Sequence, residues 1–365
     1  MKNPSNILIV KLSAIGDVIH TLPAVWALRE HFPCAHITWL VEEEAADIVK
    51  GHEAVDRVLI SRRKTWLRGL LKGRTHKNVM ELVHFIKTLR DTKYDMVIDF
   101  QGLFKSGILV FCSRGTHKIG YDKTRELSYI FLNERVPPFD MDKHAILRYL
   151  NLVESIGAST DHVFFRMSIR SCDRERARKL LQTRGWQGIR PLIAIHPMAK
   201  WKTKLWPLDR FSKLCSAIQE RFGGMVIFTG SKEDGKEVKR IVSTGNSRVI
   251  DLSGETDLMR LAAIYELADC VVSTDSGPMH LAAAIGTPVV ALFGPTAPWR
   301  TGPFGDQHQI VRAGADCSPC FKKTCSSLEC MKQITVDQIL KSVEAVLQTL
   351  AGVDGHAKGC DSVTC

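Results

Sequence analysis

A buried β-run that ends in a polar knot and passes at once into a small-residue helix constrains this chain more than any other segment. Cys270 to Ser273 is the β-run, Asp275-Ser276-Gly277 the knot, and Met279 to Ile285 the helix. Gly286-Thr287-Pro288 stops that helix before a second apolar run, Val289 to Phe293. Short apolar runs bounded by turn residues and separated by a helix predict parallel strands joined by a crossover. Such a unit presents free backbone N–H groups and the positive end of a helix at the carboxyl edge of the sheet, where phosphates bind without a metal. The segment therefore predicts an α/β domain that handles a nucleotide.

The same alternation extends through most of the chain. Asn6 to Lys11 reads as a β-run, followed by a turn and a helix from Val18 to His31; Ile37 to Val41, Arg57 to Ile60 and Met96 to Asp99 read as further strands. Residues 133–170, with Pro137-Pro138, lose the pattern and mark the expected passage between domains. A second series follows, with a helix near Asp173 to Arg184 and strands Leu192 to His196, Met225 to Thr229 and Arg248 to Asp251. With 365 residues, 45% hydrophobic and 24% charged, the chain can bury two cores. The expected organisation is two Rossmann-like domains, residues 1–165 and 166–350, whose parallel sheets face a central cleft. A disordered tail, 351–365, is expected to follow because its Gly- and Ser-containing sequence has too little apolar content to pack.

No apolar run approaches the ~20 residues that span a bilayer, and Met1-Lys2-Asn3-Pro4 leads into a strand rather than a signal peptide. A cytoplasmic chain is expected. The 11 cysteines scatter through apparent core elements (Cys34, Cys112, Cys215, Cys270), as free thiols do in a reducing compartment. Cys317, Cys320, Cys325 and Cys330 stand apart, flanked by Lys322, Lys323 and Lys332. Four thiolates can hold a structural zinc; only one Cys-x2-Cys is present, so reduced thiols or a loop disulfide are the alternatives.

The formal net charge of +11 is unevenly spread. Residues 62–77 hold seven Lys or Arg and no acid, interleaved with Trp66, Leu67, Leu70 and Leu71. An anionic membrane attracts such a surface segment by about 1 kcal/mol per basic residue, and a phosphorylated lipid meets the same field. A solvated basic loop is the plainer alternative. Nucleic acid is not expected as a partner, because no aromatic-rich strand or helix-turn-helix spacing accompanies the charge.

The first turn supplies the catalytic candidate. Strand Ile7 to Lys11 runs into a small-residue loop with Gly16, which places Asp17 near a helix N-terminus at the mouth of the cleft. An Asp here is either an N-cap or a base that takes a proton from a hydroxyl as that oxygen attacks.

Four motifs in order are Lys11-Leu-Ser-Ala-Ile-Gly-Asp-Val-Ile-His-Thr-Leu-Pro23, Asp99-Phe-Gln-Gly-Leu-Phe-Lys-Ser106, Asp275-Ser-Gly-Pro-Met-His280 and Phe293-Gly-Pro-Thr296. Together they make the chain resemble glycosyltransferase family 9, the lipopolysaccharide heptosyltransferases, over residues 6 to 348. The resemblance implies a GT-B architecture of two Rossmann-like domains. It implies an acceptor held by the N-terminal half, an ADP-heptose donor held by the C-terminal half, and no cofactor or metal. It also implies a peripheral place on the cytoplasmic face of the inner membrane, where the glycolipid acceptor lies.

By the same resemblance Asp17 matches the general base that deprotonates the acceptor hydroxyl, with inversion at the donor sugar. Lys204, in Lys204-Leu-Trp-Pro207, matches a phosphate-binding lysine. His280 matches a donor-binding histidine, Asp275 a residue near the heptose hydroxyls, and Ser276 and Gly277 the helix start that meets the diphosphate. Glu233 stands where the family places an acid for the ribose diol, with Asp234 as the alternative match. Arg62, Arg63, Lys64, Lys105 and Arg125 are assigned as a group to the carboxylates and phosphates of a Kdo–lipid A-type acceptor.

The resemblance is uneven along the chain. The N-terminal half, with Asp99 to Ser106 and the Arg62-Arg-Lys-Thr-Trp66 cluster, follows heptosyltransferase I-type members, which use Kdo as acceptor. The C-terminal half, with Asp275 to His280 and the four grouped cysteines, follows II-type members. Acceptor choice belongs to the N-terminal domain, so transfer to Kdo is the leading expectation. Transfer to heptose, or another nucleotide-sugar chemistry on the same fold such as epimerisation, are the alternatives. A non-catalytic nucleotide- or lipid-binding protein would keep both halves without depending on Asp17.

Overall fold

The computed structural model describes residues 3–71, 75–243 and 249–357. By its internal contacts the chain divides into two compact units, Met1–Ser168 and Ile169–Cys365. The first is built on β1 (Asn6–Val10), β2 (His36–Glu42), β3 (Arg57–Ser61), β4 (Tyr94–Asp99), β5 (Gly115–Tyr121) and β6 (Glu134–Val136), in the order β3-β2-β1-β4-β5-β6. The second is built on β7 (Leu192–His196), β8 (Met225–Phe228), β9 (Val249–Asp251), β10 (Cys270–Thr274), β11 (Val289–Phe293) and β12 (Gln309–Arg312), in the order β12-β11-β10-β7-β8-β9. Every strand pair is parallel.

Each sheet grows outward from one central strand, then restarts on that strand's other side. The restart creates a topological switch point, between β1 and β4 in one unit and between β7 and β10 in the other, where the loops leaving the two strands diverge and ligands bind. The central strands are nearly unbroken apolar runs because helices cover both faces; Ile7 to Val10 and Val289 to Phe293 are fully or almost fully buried. In the first unit Leu8, Val10, Leu40 and Val97 pack with Trp66, Phe85, Leu89, Leu109 and Val110 in one core, while helix Ile15–His31 packs on helix Ala145–Glu154. In the second unit Ile193, Ile195, Phe228, Val272 and Val290 pack with Phe211, Leu214 and Ile218 of helix Leu208–Phe222. Val343 and Val346 of the last helix, Val336–Ala357, join the same core.

Several expectations need correction. The first helix starts at Ile15, three residues before Val18, because the Asp17 carboxylate accepts the Ala14 N–H and closes the extra turn. Residues 62–77 are not a loop: helices Arg63–Leu71 and Thr75–Leu89 occupy most of them, with 72–74 outside the described residues. Trp66 is buried there, stacked on Phe85 at 5.1 Å and donating its Nε1–H to Glu81. Residues 133–170 hold β6 and helix Ala145–Glu154, whose Ile146, Tyr149, Leu150 and Val153 form a buried stripe at helical spacing. The segment Ala351–Ala357, expected to be part of the tail, continues the last helix beyond the packed Leu347 and Leu350; 358–365 lie outside the described residues. Cys34 is exposed in the turn after the first helix, whereas Cys215 and Cys270 are buried and Cys112 half-buried; the described cysteines are all free.

Candidate active-site residues

Asp17 lies in the first turn of helix Ile15–His31, just beyond the loop that leaves β1 at the switch point of the first sheet. It is not the N-cap, a place taken by Ala14. One carboxylate oxygen accepts the Ala14 N–H at 3.2 Å and the other accepts the Tyr149 hydroxyl at 3.3 Å. That hydroxyl in turn accepts from Lys11 Nζ at 2.6 Å, and Lys11 also donates to the Phe100 carbonyl at 3.2 Å. Lys11 is 2% exposed, and burial pulls its pKa down against the opposing pull of Asp17. Burial likewise pushes the Tyr149 hydroxyl well up, so Tyr149 stays a donor toward Asp17.

The loop from Lys11 to Ala14 is held from the second motif. Gln101 Oε1 accepts the N–H groups of Leu12 and Ser13, both at 3.0 Å, and Lys105 Nζ donates to Ser13 Oγ at 2.7 Å. Asp99, at the end of β4, accepts from Gln101 N–H, Gly102 N–H and Ser106 Oγ. Burial raises its pKa to about 6, with those hydrogen bonds and Lys11 opposing. The Asp99–Ser106 motif is therefore a brace for the turn that carries Asp17.

None of the five expected acceptor cations stands free. Glu42, at the end of β2, is 2% exposed and holds Arg63 and Lys105, both at 3.2 Å, with Lys64 at 3.7 Å. Burial raises its pKa, but Lys105 and then Arg63 more than reverse this, leaving it below the ordinary range. Lys64 also pairs with Glu44 at 2.6 Å and Arg62 with Glu43 at 3.3 Å. The acid run Glu42-Glu43-Glu44, which motif matching passed over, thus sets the geometry of the basic cluster. Arg125 lies apart from that cluster, 3.5 Å from Glu126, and lines a pocket of about 430 Å³ with Gln101, Leu103, Phe139, Arg148 and Tyr149.

In the second unit three motifs meet on one carboxylate. Asp275 follows β10 at that sheet's switch point; its Oδ2 lies 2.6 Å from Lys204 Nζ and accepts the Thr296 hydroxyl. Lys204 also sits 4.8 Å over the Trp201 ring. Ser276 caps helix Gly277–Ala284 from an extended conformation without a side-chain hydrogen bond to it, so no capping side chain occupies the helix start. His280 is buried one turn in, 7% exposed. Glu233 is exposed after β8, and its own N–H and Ser231 hold its pKa low; Asp234 is committed to the turn, accepting the Ser231 N–H at 2.8 Å. His196, unremarked in the sequence, ends β7 with Nδ1 3.2 Å from Thr229 Oγ1, and burial pushes it down to about 4.

The four grouped cysteines are free and near one another: burial, and then Cys317, Cys320 and Cys325, raise the pKa of the Cys330 thiol. Cys330 is buried in the core, while Cys317 and Cys325 are exposed and Cys320 half-buried on the preceding loop. Among the described residues no three His, Cys, Asp or Glu side chains are grouped so as to hold a metal ion. The loop instead braces the Lys204 turn: Thr203 donates to the Lys322 carbonyl at 2.9 Å, and Cys320 and Phe321 donate their N–H groups to Pro295.

Known proteins resemble this chain in sequence and in fold. The model of glycosyltransferase family 9 (heptosyltransferase) matches residues 82–331. Over 332 residues the chain is 31% identical to lipopolysaccharide heptosyltransferase 1 of Pseudomonas aeruginosa, a match covering 88% of this chain and 87% of that one. The structure of E. coli heptosyltransferase WaaC with ADP matches with a TM-score of 0.76 at 27% identity, over 93% of this chain and 99% of that one. E. coli ADP-heptose heptosyltransferase II gives the same TM-score at 20% identity, over 95% and 99%, and shares the fold.

Proposed function

This chain belongs to glycosyltransferase family 9, the heptosyltransferases, and has the GT-B α/β fold; on that premise we propose that it moves heptose from ADP-heptose to a Kdo–lipid A-type acceptor in lipopolysaccharide inner-core synthesis, with inversion and without a metal. Asp17 carries this reading: a half-buried carboxylate at a sheet's switch point, oriented by Ala14 and Tyr149 on separate oxygens. Asp17 takes the proton of the acceptor hydroxyl while that oxygen bonds to the anomeric carbon. The bond from that carbon to the diphosphate oxygen breaks, its electron pair leaves with ADP, and attack from the opposite face inverts the centre. The sugar passes through oxocarbenium character, as in glycoside hydrolysis.

The leaving diphosphate needs positive potential rather than a proton. Lys204 keeps N–H donors beyond the one given to Asp275, and the start of helix Gly277–Ala284, behind Ser276, adds backbone dipoles. Asp275 and His280 belong to the donor sugar's surroundings. Glu233, exposed where Asp234 is tied into its turn, suits the ribose diol. Arg62, Arg63, Lys64 and Lys105, organised by Glu42 to Glu44, and Arg125 in its pocket meet the acceptor's carboxylates and phosphates. The 31% identity to a heptosyltransferase 1 supports Kdo rather than heptose as acceptor. The site of action is the cytoplasmic face of the inner membrane, where such a glycolipid is presented.

The test incubates the protein with ADP-heptose and Kdo–lipid A and follows ADP release, with Asp17→Ala in parallel. Release should require both substrates and fall about 10²–10⁴-fold in the variant, with ADP binding unchanged. Equal release by the variant removes Asp17 as base, and no turnover with any sugar acceptor removes the transferase reading.

A further inference from the structure

Helices Arg63–Leu71, Thr75–Leu89 and Phe104–Cys112 all send side chains into one core, so they cover one face of the first sheet. Their outer sides are apolar too. Val79, Met80 and Val83 are 47%, 57% and 44% exposed on the second helix. Phe104, Ile108 and Phe111 recur at i, i+4 and i+7 on the third, exposed by 48%, 42% and 66%. Phe131, from the turn that follows β5, sits between Phe104 and Phe111 with ring centroids at 5.8 and 5.9 Å. Of the 16 large hydrophobics exposed among the described residues, 10 fall in this one layer, between Leu67 and Ile130, and a set so concentrated marks an interaction surface.

The charge around this layer is predominantly basic. Residues 62–90 and 100–130 carry 14 Lys or Arg and three acids: Glu81 accepts from Trp66 Nε1, Asp122 pairs with Arg135, and Glu126 pairs with Arg125 and accepts the Phe104 N–H. Arg62, Arg63, Lys64 and Lys105 are paired with Glu42 to Glu44, and the remainder leave the field basic. A second copy of the chain would bring two such fields together, and a nucleic acid offers nothing to the aromatic and aliphatic side chains.

We propose that this helical face of the first unit docks on an anionic lipid bilayer, its apolar side chains entering the headgroup–acyl boundary and its cations meeting lipid phosphates. The proposal deepens, and rests on, the reading of the acceptor as a membrane-held glycolipid. Leu103, which precedes helix Phe104–Cys112, also lines the pocket that holds Arg125, so an amphiphile anchored beside that helix has its polar end at the pocket.

The test is flotation of the full chain with phosphatidylcholine vesicles, with and without phosphatidylglycerol. The wild type should bind the anionic vesicles alone, and more weakly in about 0.5 M salt. A Val83→Glu/Phe111→Glu double variant should lose about ten-fold or more of that binding. Trp299→Glu, at an exposed apolar position of the second unit, should bind as the wild type does, and circular dichroism should find both variants folded. Undiminished binding by the double variant, equal binding to neutral vesicles, or a wild-type dimer that the double variant turns into a monomer would each overturn the proposal. Vesicle binding is read without sugar transfer, so a protein that binds vesicles but transfers nothing sinks the function reading and leaves this one standing.

Discussion

Lys11 and Tyr149 are the least conspicuous residues near Asp17 and the ones it depends on most directly. A buried ammonium is tolerated only with good acceptors, and Lys11 has two, the Phe100 carbonyl and the Tyr149 oxygen, the latter passing its own proton toward Asp17. Tyr149→Phe removes one acceptor from Lys11 and one donor from Asp17 with little change of shape. It should lower stability by about 1–3 kcal/mol in urea unfolding. It should also lower kcat about ten-fold or more at unchanged donor KM, because the base loses its orientation; an unchanged kcat would make the contact merely structural. Asp17 was legible in the sequence because a β-run, a Gly-containing loop and a helix start fix its place locally. Lys11, Tyr149 and Glu42 were not. Tyr149 reads as one more apolar residue of a helical stripe, and its partner lies 138 positions away, so only the packing of two distant helices reveals the link. For the five cations proposed to meet the acceptor, the charge was legible but the acids paired with them were not.

At the scale of elements, strands flanked by turn residues were readable and those defined by pairing alone were not. β5, Gly-Thr-His-Lys-Ile-Gly-Tyr, has little apolar character and is a strand because it pairs with β4 on one side and β6 on the other. The basic stretch 62–77 hid its helices because its charge suggests a solvated loop, whereas Trp66 anchors it inward. Where a glycine ends an element, the structure distinguishes two roles. Gly223 closes helix Leu208–Phe222 at φ 65°, and a side chain there meets nothing. A Cβ on Gly224 would lie 2.5 Å from the Pro191 carbonyl oxygen, beside the Met225 N–H that this oxygen accepts. Gly223→Ala should therefore cost about 1 kcal/mol and Gly224→Ala about 1–3 kcal/mol, through displacement of β8 from β7. Thermal unfolding of the two variants checks the order, and the reverse order would refute the clash.

The two units carry buried titrating groups of opposite effect. Asp99 in the first has its pKa raised by burial to about 6, above about 3.9 when unfolded, so it contributes stability at low pH that is lost as pH rises through 6. His196 in the second is lowered by burial to about 4, below about 6.5 when unfolded, so its contribution is present above that and lost as pH falls toward 4. Acidification from pH 6 to 4 should thus strengthen the first unit and weaken the second, each by up to about 3 kcal/mol. Hydrogen exchange resolved by unit measures this, with Asp99→Asn and His196→Gln each flattening one response; parallel responses in both units would refute it. The two-unit plan was legible from the repeated alternation of strand and helix, while the division itself comes after Ser168 because helix Ala145–Glu154 packs back on the first helix. Neither sheet borrows a strand from the other half. The junction is therefore a seam: under the proposed division of labour, a lineage can retune which sugar it receives by edits upstream while inheriting its nucleotide chemistry untouched downstream.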